Sequence, residues 1–182
     1  MTIWTVGHSS RTLDDFLALL QGHGIQQVAD VRRYPGSRAH PHFNPDALAS
    51  ALDRAGIAYL SFPELGGRRK PKPNSVNTVW RNSAFRGYAD YMETQEFREG
   101  LDRLVACAKQ GRTAILCSEA VWWRCHRALI ADALKASGIR VLHIMSQERA
   151  AEHPYTSAAS VVNGRLHYGA GPDAGAGASG DA

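Results

Sequence analysis

The stretch from Thr113 to Leu134, TAILCSEAVWWRCHRALIADAL, determines how the rest of the chain is interpreted. An apolar run, Ala114–Leu116, ends in Cys117, and a short polar loop then leads into an amphipathic segment. This order is typical of a buried strand, a loop and a helix, and it places the loop at the carboxyl end of the strand. Free N–H groups and the helix dipole favour anions at a helix N-terminus. The segment therefore predicts the floor of an active site.

Apolar strands and amphipathic helices alternate along the whole chain. The predicted strands cover residues 3–6, 28–31, 57–62, 113–117 and 140–144. Helices are predicted after Thr12, after Asn44, from Ala84 with a break at Thr94, and from Ala128. The alternation predicts a single Rossmann-like α/β domain over residues 1–168, with an open, mostly parallel sheet flanked by helices and a short hairpin at Asn163-Gly164. The Gly/Ala-rich residues 169–182 are predicted to be a disordered tail.

Composition favours a water-soluble globular protein in a reducing compartment. The chain has 182 residues, 44% of them hydrophobic and 21% charged, and it contains no apolar run near the roughly 20 residues that span a bilayer. It shows no signal-peptide pattern, and its three cysteines are an odd number. We therefore expect reduced thiols, a cytoplasmic location and no membrane partner. The oligomeric state stays open.

Four residues are candidate catalytic groups because they follow predicted strands. Glu119 is favoured, since a partly buried carboxylate at this edge suits acid/base or nucleophilic chemistry. Asp30 is expected to assist it, and His126 is predicted to point from the helix toward the sheet. Cys117 is a candidate nucleophile, but its spacing to Arg124 is C-x6-R, one residue longer than in thiolate phosphate-binding loops. A solvated acid, a core histidine and a buried apolar thiol are the structural alternatives.

A second group of residues is predicted to bind an anionic ligand. Arginines in the first turn of a helix are unfavourable unless an anion is also present, which points to a phosphate or carboxylate. Residues that end the first two predicted strands would reach the same ligand, because strand ends converge at one sheet edge. The predicted ligand-binding set is His8, Ser9, Arg32, Arg124, Cys125 and Arg127.

A basic, proline-rich segment predicts contact with nucleotides or nucleic acid. Its candidate residues are Arg68, Arg69, Lys70 and Lys72. Exposed aromatic faces would stack on bases while basic groups contact phosphates, and Tyr34, Trp80, Trp122 and Trp123 are interleaved with the basic runs. The alternative is a solvated loop with core tryptophans.

Neither a metal nor an organic cofactor is predicted. Cys117, Glu119, Cys125 and His126 offer ligand atoms, but their spacing matches no familiar zinc motif and no second pair of ligands follows.

Several motifs together resemble domain-of-unknown-function family 488. They are TVGHS, DVRRYPGS, LGG, FRGYADYM, LCSEAVWWRCHRALIADAL and HPYT, and the resemblance covers residues 2–168. The resemblance implies a compact bacterial Rossmann-like domain but no established activity. It also implies that family motif positions are held by His8, Asp30, Arg32, Glu119, Cys125, His126 and Arg127. Trp122-Trp123 departs from the proline-containing loop usual in the family.

These observations lead to a functional hypothesis with alternatives. The leading hypothesis is a cytoplasmic enzyme acting on a phosphate-bearing nucleotide or nucleic acid, with cleavage or transfer at a glycosidic bond as its suggested chemistry. The first alternative is a non-catalytic nucleotide or nucleic-acid binding module. The second is a thiol-dependent enzyme that uses Cys117 or Cys125.

Overall fold

A six-stranded, mostly parallel sheet forms the centre of the computed structural model, which describes residues 1–169. The spatial order of its strands is β3-β2-β4-β1-β5-β6, with β1 to β5 parallel and β6 antiparallel at one edge. A separate two-stranded hairpin, β7-β8, follows. The strands are β1 (Thr2–Gly7), β2 (Gln27–Asp30), β3 (Ala58–Ser61), β4 (Thr113–Cys117), β5 (Arg140–Ile144), β6 (Ala150–Glu152), β7 (Ser160–Val162) and β8 (Arg165–His167).

Five α-helices cover the two faces of this sheet. They are α1 (Leu13–Gly22), α2 (Pro45–Arg54), α3 (Ser83–Met92), α4 (Gln95–Ala108) and α5 (Arg127–Ala136). One core forms on the side of α1 and α2, where Phe16 and Leu48 pack against β-strand residues such as Leu116. The other contains Leu104 and Leu129 from α4 and α5. No helix of the described residues is long and apolar enough to cross a membrane.

Side chains at the helix starts explain several of these boundaries. The hydroxyl of Thr12 accepts a hydrogen bond from the backbone N–H of Asp15, and Thr94 does the same for Phe97, so the predicted break between α3 and α4 is confirmed. Asn44 precedes α2 as predicted, but its side chain does not cap the helix. Its Oδ1 instead accepts a hydrogen bond from the backbone N–H of Ser37, which joins the loop after β2 to the start of α2.

The predicted α/β fold class and the hairpin are confirmed. Asn163 and Gly164 both have positive φ, as the tight turn between β7 and β8 requires. Strand β6 was missed, because three residues carry too short a pattern to recognise. The fifth predicted strand, residues 140–144, is confirmed, and His143 lies within it. The predicted tail, apart from Gly169, lies outside the described residues.

A buried chain of hydrogen bonds joins β1, β5 and α5. The Thr5 hydroxyl lies 2.7 Å from Nδ1 of His143, Nε2 of His143 lies 2.9 Å from Nδ1 of His153, and Nε2 of His153 lies 2.9 Å from Oδ1 of Asp132. With one proton on each imidazole, all four ring nitrogens of His143 and His153 have a hydrogen-bond partner. The ring of Trp122 stacks on His143 with centroids 4.3 Å apart. The loop after β4 is therefore packed against this network.

The same carboxylate fixes the C-terminal part of the described chain. Asp132 also accepts hydrogen bonds from the backbone and hydroxyl of Thr156 and from the Tyr168 hydroxyl, at 2.9, 2.6 and 2.8 Å. A buried carboxylate with this many donors is satisfied without a counterion. The segment from β6 to β8 is thereby attached to α5.

We expect stability to fall with acid because of His143. Burial, together with the neighbouring His153 imidazole and the Arg127 guanidinium, lowers the pKa of His143 to about 3. Below about pH 6.5 the unfolded imidazole gains a proton that the folded one does not, so the free energy of unfolding falls as pH decreases. One imidazole of this kind changes the free energy of unfolding by up to about 1.4 kcal/mol per pH unit. Urea unfolding at pH 7 and at pH 5 should show that the free energy of unfolding falls less in His143→Gln than in wild type.

The matched control is Thr5→Val. This change removes the hydroxyl that bonds His143 but keeps the titrating imidazole, so the pH-dependent loss should stay near that of wild type. An unchanged loss in His143→Gln would show that this histidine does not cause it.

Candidate functional site

A cleft of about 650 Å³ opens at the carboxyl edge of the parallel strands. Its walls come from the segments that follow β1, β2, β3 and β4 and from the start of α3, as expected for a ligand site in an open α/β sheet. The predicted site residues that line it are His8, Ser9, Arg32, Arg68, Cys117, Glu119, Arg124, Cys125 and His126. Candidate residues that follow different predicted strands therefore meet in one cleft.

Backbone hydrogen bonds continue the sheet into the cleft floor. The N–H groups of His8 and Ser9 donate to the carbonyl oxygens of Cys117 and Ser118, at 3.0 and 2.8 Å. Ser9 has φ of +51° and Arg68 has φ of +58°, so two cleft residues adopt a backbone conformation that L-residues rarely take. Unfavourable backbone of this kind is found most often at functional sites.

Asp30 forms a buried ion pair with Arg32. Its two oxygens accept from Nε and Nη2 of Arg32 at 2.8 and 2.6 Å, and they also accept from the Arg32 backbone and from the Tyr59 hydroxyl. Asp30 does not line the cleft. With its oxygens occupied and shielded from a ligand, it positions Arg32, and the expectation that it assists catalysis directly is not supported.

His8 is held as a neutral imidazole under the cleft. Its Nδ1 donates to the Ser9 carbonyl at 2.8 Å, so Nε2 is the acceptor for Nη1 of Arg32 at 3.3 Å. Burial, together with the Arg32 charge, lowers the pKa of His8 to about 4. The ring also stacks on Phe43 with centroids 4.2 Å apart. His8 therefore orients Arg32 and is uncharged at neutral pH.

Two thiols and one imidazole lie close together in the lining of the cleft. Nδ1 of His126 lies 3.9 Å from Sγ of Cys117 and 3.7 Å from Sγ of Cys125, while Nε2 lies 3.2 Å from the Val31 carbonyl oxygen. His126 points toward the sheet, as predicted. The hydrogen bond from Cys125, with the His126 imidazole and the Arg127 charge, lowers the pKa of Cys117 well below its usual value. The Cys117 partner raises the pKa of Cys125.

Arg127 lies behind the cleft and not in it. Its Nη1 donates to the carbonyl oxygen of Val6 at 3.0 Å and its Nη2 to that of Ala120 at 2.9 Å, and only 2% of the residue is exposed. These two carbonyl oxygens bind the guanidinium that lies at the start of α5. An anionic ligand is therefore not needed to explain Arg127 at that position. Arg124 lies in a 3₁₀ turn before α5, not in its first turn, and is exposed in the cleft.

Comparison with known families agrees with the motifs. A family model described as "Domain of unknown function DUF488" matches residues 12–134, more than half of the chain. The chain belongs to the DUF488 family. No match was found among curated proteins or among solved structures.

The predicted basic loop of this DUF488 protein divides into residues with different roles. Arg68 lines the cleft. The guanidinium of Arg69 stacks 3.5 Å from the centre of the Tyr91 ring, and Lys72 forms a surface ion pair with Glu93 at 2.9 Å. Lys70 is exposed but does not line the cleft. One of the four predicted nucleic-acid contacts therefore lies at the site.

Three cleft residues of this DUF488 protein were not among the predicted site residues, although Tyr34 was noted as a stacking face beside the basic runs. Arg33, Tyr34 and Phe85 line the cleft. Arg33 and Tyr34 belong to the quoted motif DVRRYPGS, which was the available signal. Phe85 lies in the first turn of α3 and carried no signal of function, because an aromatic residue in a helix usually belongs to the core.

Close packing at Gly7 should make this position intolerant of a side chain. A Cβ there would overlap the Glu119 carbonyl oxygen and lie 2.7 Å from Nη1 of Arg127. We expect Gly7→Ala to lower the free energy of unfolding by more than about 3 kcal/mol, because the neighbouring backbone has to shift. Urea unfolding at neutral pH would measure this.

Gly36→Ala is the matched control. A Cβ at Gly36 meets nothing within 4 Å, so this change should stay within about 0.5 kcal/mol of wild type. Equal stability of the two variants would contradict the packing described at Gly7.

Proposed function

We propose that this protein is an enzyme that acts on a phosphate-bearing ligand, a nucleotide or a nucleic-acid strand, bound in the cleft. The observation that carries the proposal is an excess of arginine around the cleft. Arg33, Arg68 and Arg124 line it, and among residues 1–169 none of them forms an ion pair. Guanidinium groups match phosphate oxygens in geometry as well as in charge.

An exposed aromatic ring between two of these arginines supports a nucleotide. Tyr34 is 64% exposed, and the guanidinium carbons of Arg33 and Arg68 lie 5.6 and 5.8 Å from its ring centre. A large aromatic side chain in solvent lacks the burial that would stabilise it. A base stacked on the ring would gain about 1–3 kcal/mol while the adjacent arginines contact phosphates.

Glu119 is the acid/base candidate in this proposal. Within the described part of the chain it is the one carboxylate that lines the cleft. Most glycosidic-bond hydrolases use a pair of carboxylates at the scissile bond. Because Asp30 is occupied by Arg32 beneath the cleft, this geometry does not favour a two-carboxylate mechanism, and Glu119 would act alone as a proton donor or acceptor.

Two parts of the sequence hypothesis stay predictions. The non-catalytic binding module predicts the same ligand but no effect of Glu119 on turnover. A cytoplasmic location rests on the three cysteines, all of them free thiols in the structure, since reduced thiols are typical of that compartment.

Ligand binding can be tested by thermal shift with nucleotides, sugar phosphates, single- and double-stranded DNA, and RNA. A ligand at a hundred times its Kd should raise stability by about 2.7 kcal/mol. We expect Arg124→Ala and Arg33→Ala each to weaken binding about tenfold, because each removes one charged hydrogen-bond donor. Arg127→Ala is unsuitable because that side chain is part of the buried structure.

Lys109→Ala provides the matched control. Lys109 follows α4 at the opposite edge of the sheet, just before β4, and is exposed. Removal of its charge should leave ligand affinity unchanged. The proposal would be overturned if no member of the panel shifted the wild type, or if Lys109→Ala and Arg124→Ala weakened binding equally. With a substrate in hand, full turnover by Glu119→Gln would exclude the acid/base role.

A further inference from the structure

We propose that Cys117, Cys125 and His126 bind one zinc ion, with its fourth coordination position open to the cleft. Sγ of Cys117, Sγ of Cys125 and a ring nitrogen of His126 all lie within 4.8 Å of one another. All three residues line the cleft floor. The inference stands independently of the phosphate ligand, because it concerns the protein alone.

The distances between these atoms fit a tetrahedral site. Zn–S bonds of about 2.3 Å and Zn–N bonds of about 2.0 Å, set at the tetrahedral angle, separate sulfur from nitrogen by about 3.6 Å. Nδ1 of His126 lies 3.7 Å from Sγ of Cys125 and 3.9 Å from Sγ of Cys117. Both sulfur-to-nitrogen distances therefore lie within a few tenths of an ångström of the value that a common ion requires.

The protonation of His126 is the one that a metal ligand requires. A carbonyl oxygen only accepts, so the contact between Nε2 and the Val31 carbonyl at 3.2 Å places the imidazole proton on Nε2. The lone pair of a neutral ring is then on Nδ1, facing both sulfurs. Metal-bound histidines almost always donate their other N–H to a carbonyl or carboxylate, which fixes the ring orientation.

Gly67 packs against the ring of His126. A Cβ at this position would lie 2.8 Å from Nδ1 and 3.0 Å from Cγ of His126, over the face of the imidazole. The absence of a side chain therefore lets the segment after β3 pack on the ring and hold it in position. The in-plane lone pair of Nδ1, which a metal ion would use, is not the direction in which this backbone approaches.

The donor set selects the kind of ion. Two thiolates and an imidazole are soft or borderline ligands, which suit Zn²⁺ and disfavour Mg²⁺ and Ca²⁺. Two thiolates also neutralise the two charges of the ion, so the complex adds no net charge to a buried site. Three protein ligands with one open position are typical of catalytic zinc, whereas structural zinc is held by four.

Sequence spacing did not predict this site. Cys117 and Cys125 are eight positions apart, and no second ligand pair marks a zinc motif. The two thiols meet because the loop after β4 returns to the sheet before α5 begins, with Cys125 following the 3₁₀ turn Trp122–Arg124. A loop path of this kind cannot be derived from ligand spacing.

Zinc binding can be measured on the full chain without any other ligand. Protein stripped with a chelator and kept reduced would be titrated with Zn²⁺ against a chromophoric competitor, and then with Co²⁺ to record its absorption spectrum. We expect one ion per chain and thiolate-to-cobalt charge-transfer bands of a tetrahedral site. Loss of a hydrogen bond to a metal ligand typically lowers metal affinity about 10- to 100-fold. Cys117→Ser, Cys125→Ser and His126→Asn each remove a ligand and should lower zinc affinity by more than that.

Cys107→Ser is the matched control because Cys107 is the third thiol and does not line the cleft. It should keep wild-type affinity and stoichiometry. Circular dichroism would show that each variant is folded. The proposal is overturned if folded wild type binds no zinc tightly, or if zinc fails to protect Cys117 and Cys125 from alkylation. Either result would favour the thiol-dependent alternative.

Discussion

The buried guanidinium of Arg127 is the interaction on which the cleft depends. It donates to carbonyl oxygens of Val6 in β1 and Ala120 in the loop after β4. A buried charge is costly unless it is hydrogen-bonded, so the loop has to pass close to the end of β1. Gly7 makes that approach possible. The same path turns the loop back toward Cys117, which brings Cys125 and His126 over the strand end.

Most of the fold could be predicted because its signals are local. The β4 bounds Thr113–Cys117 follow from an apolar run with polar flanks, and the start of α1 follows from the Thr12 cap. Strand β6 could not be predicted, since Ala150–Glu152 becomes a strand only by pairing with β5. Asn44 precedes α2 as predicted, but the hydrogen bond of its side chain with Ser37 could not be predicted, because helix-start rules do not contain that contact.

The sequence predicted the location of the site better than the role of each residue in it. The rule that strand ends converge brought His8, Arg32 and Cys117 to one cleft. It did not show that Asp30 is fully paired or that Arg127 faces backbone, because both depend on side-chain partners distant in sequence. The Thr5–His143–His153–Asp132 network was not predicted either, since it joins β1, β5, α5 and the residue that follows β6.

Strand β5 gives the chain a minimum folding unit that extends beyond the family match. That match ends at residue 134, yet β1 pairs with β4 on one side and with β5 on the other. A fragment ending at residue 134 would leave β1 as an unprotected edge strand, open to pairing with other chains. It would also lose His143, on which Trp122 stacks. Residues beyond the family match therefore decide whether β1 and the loop after β4 are held in place.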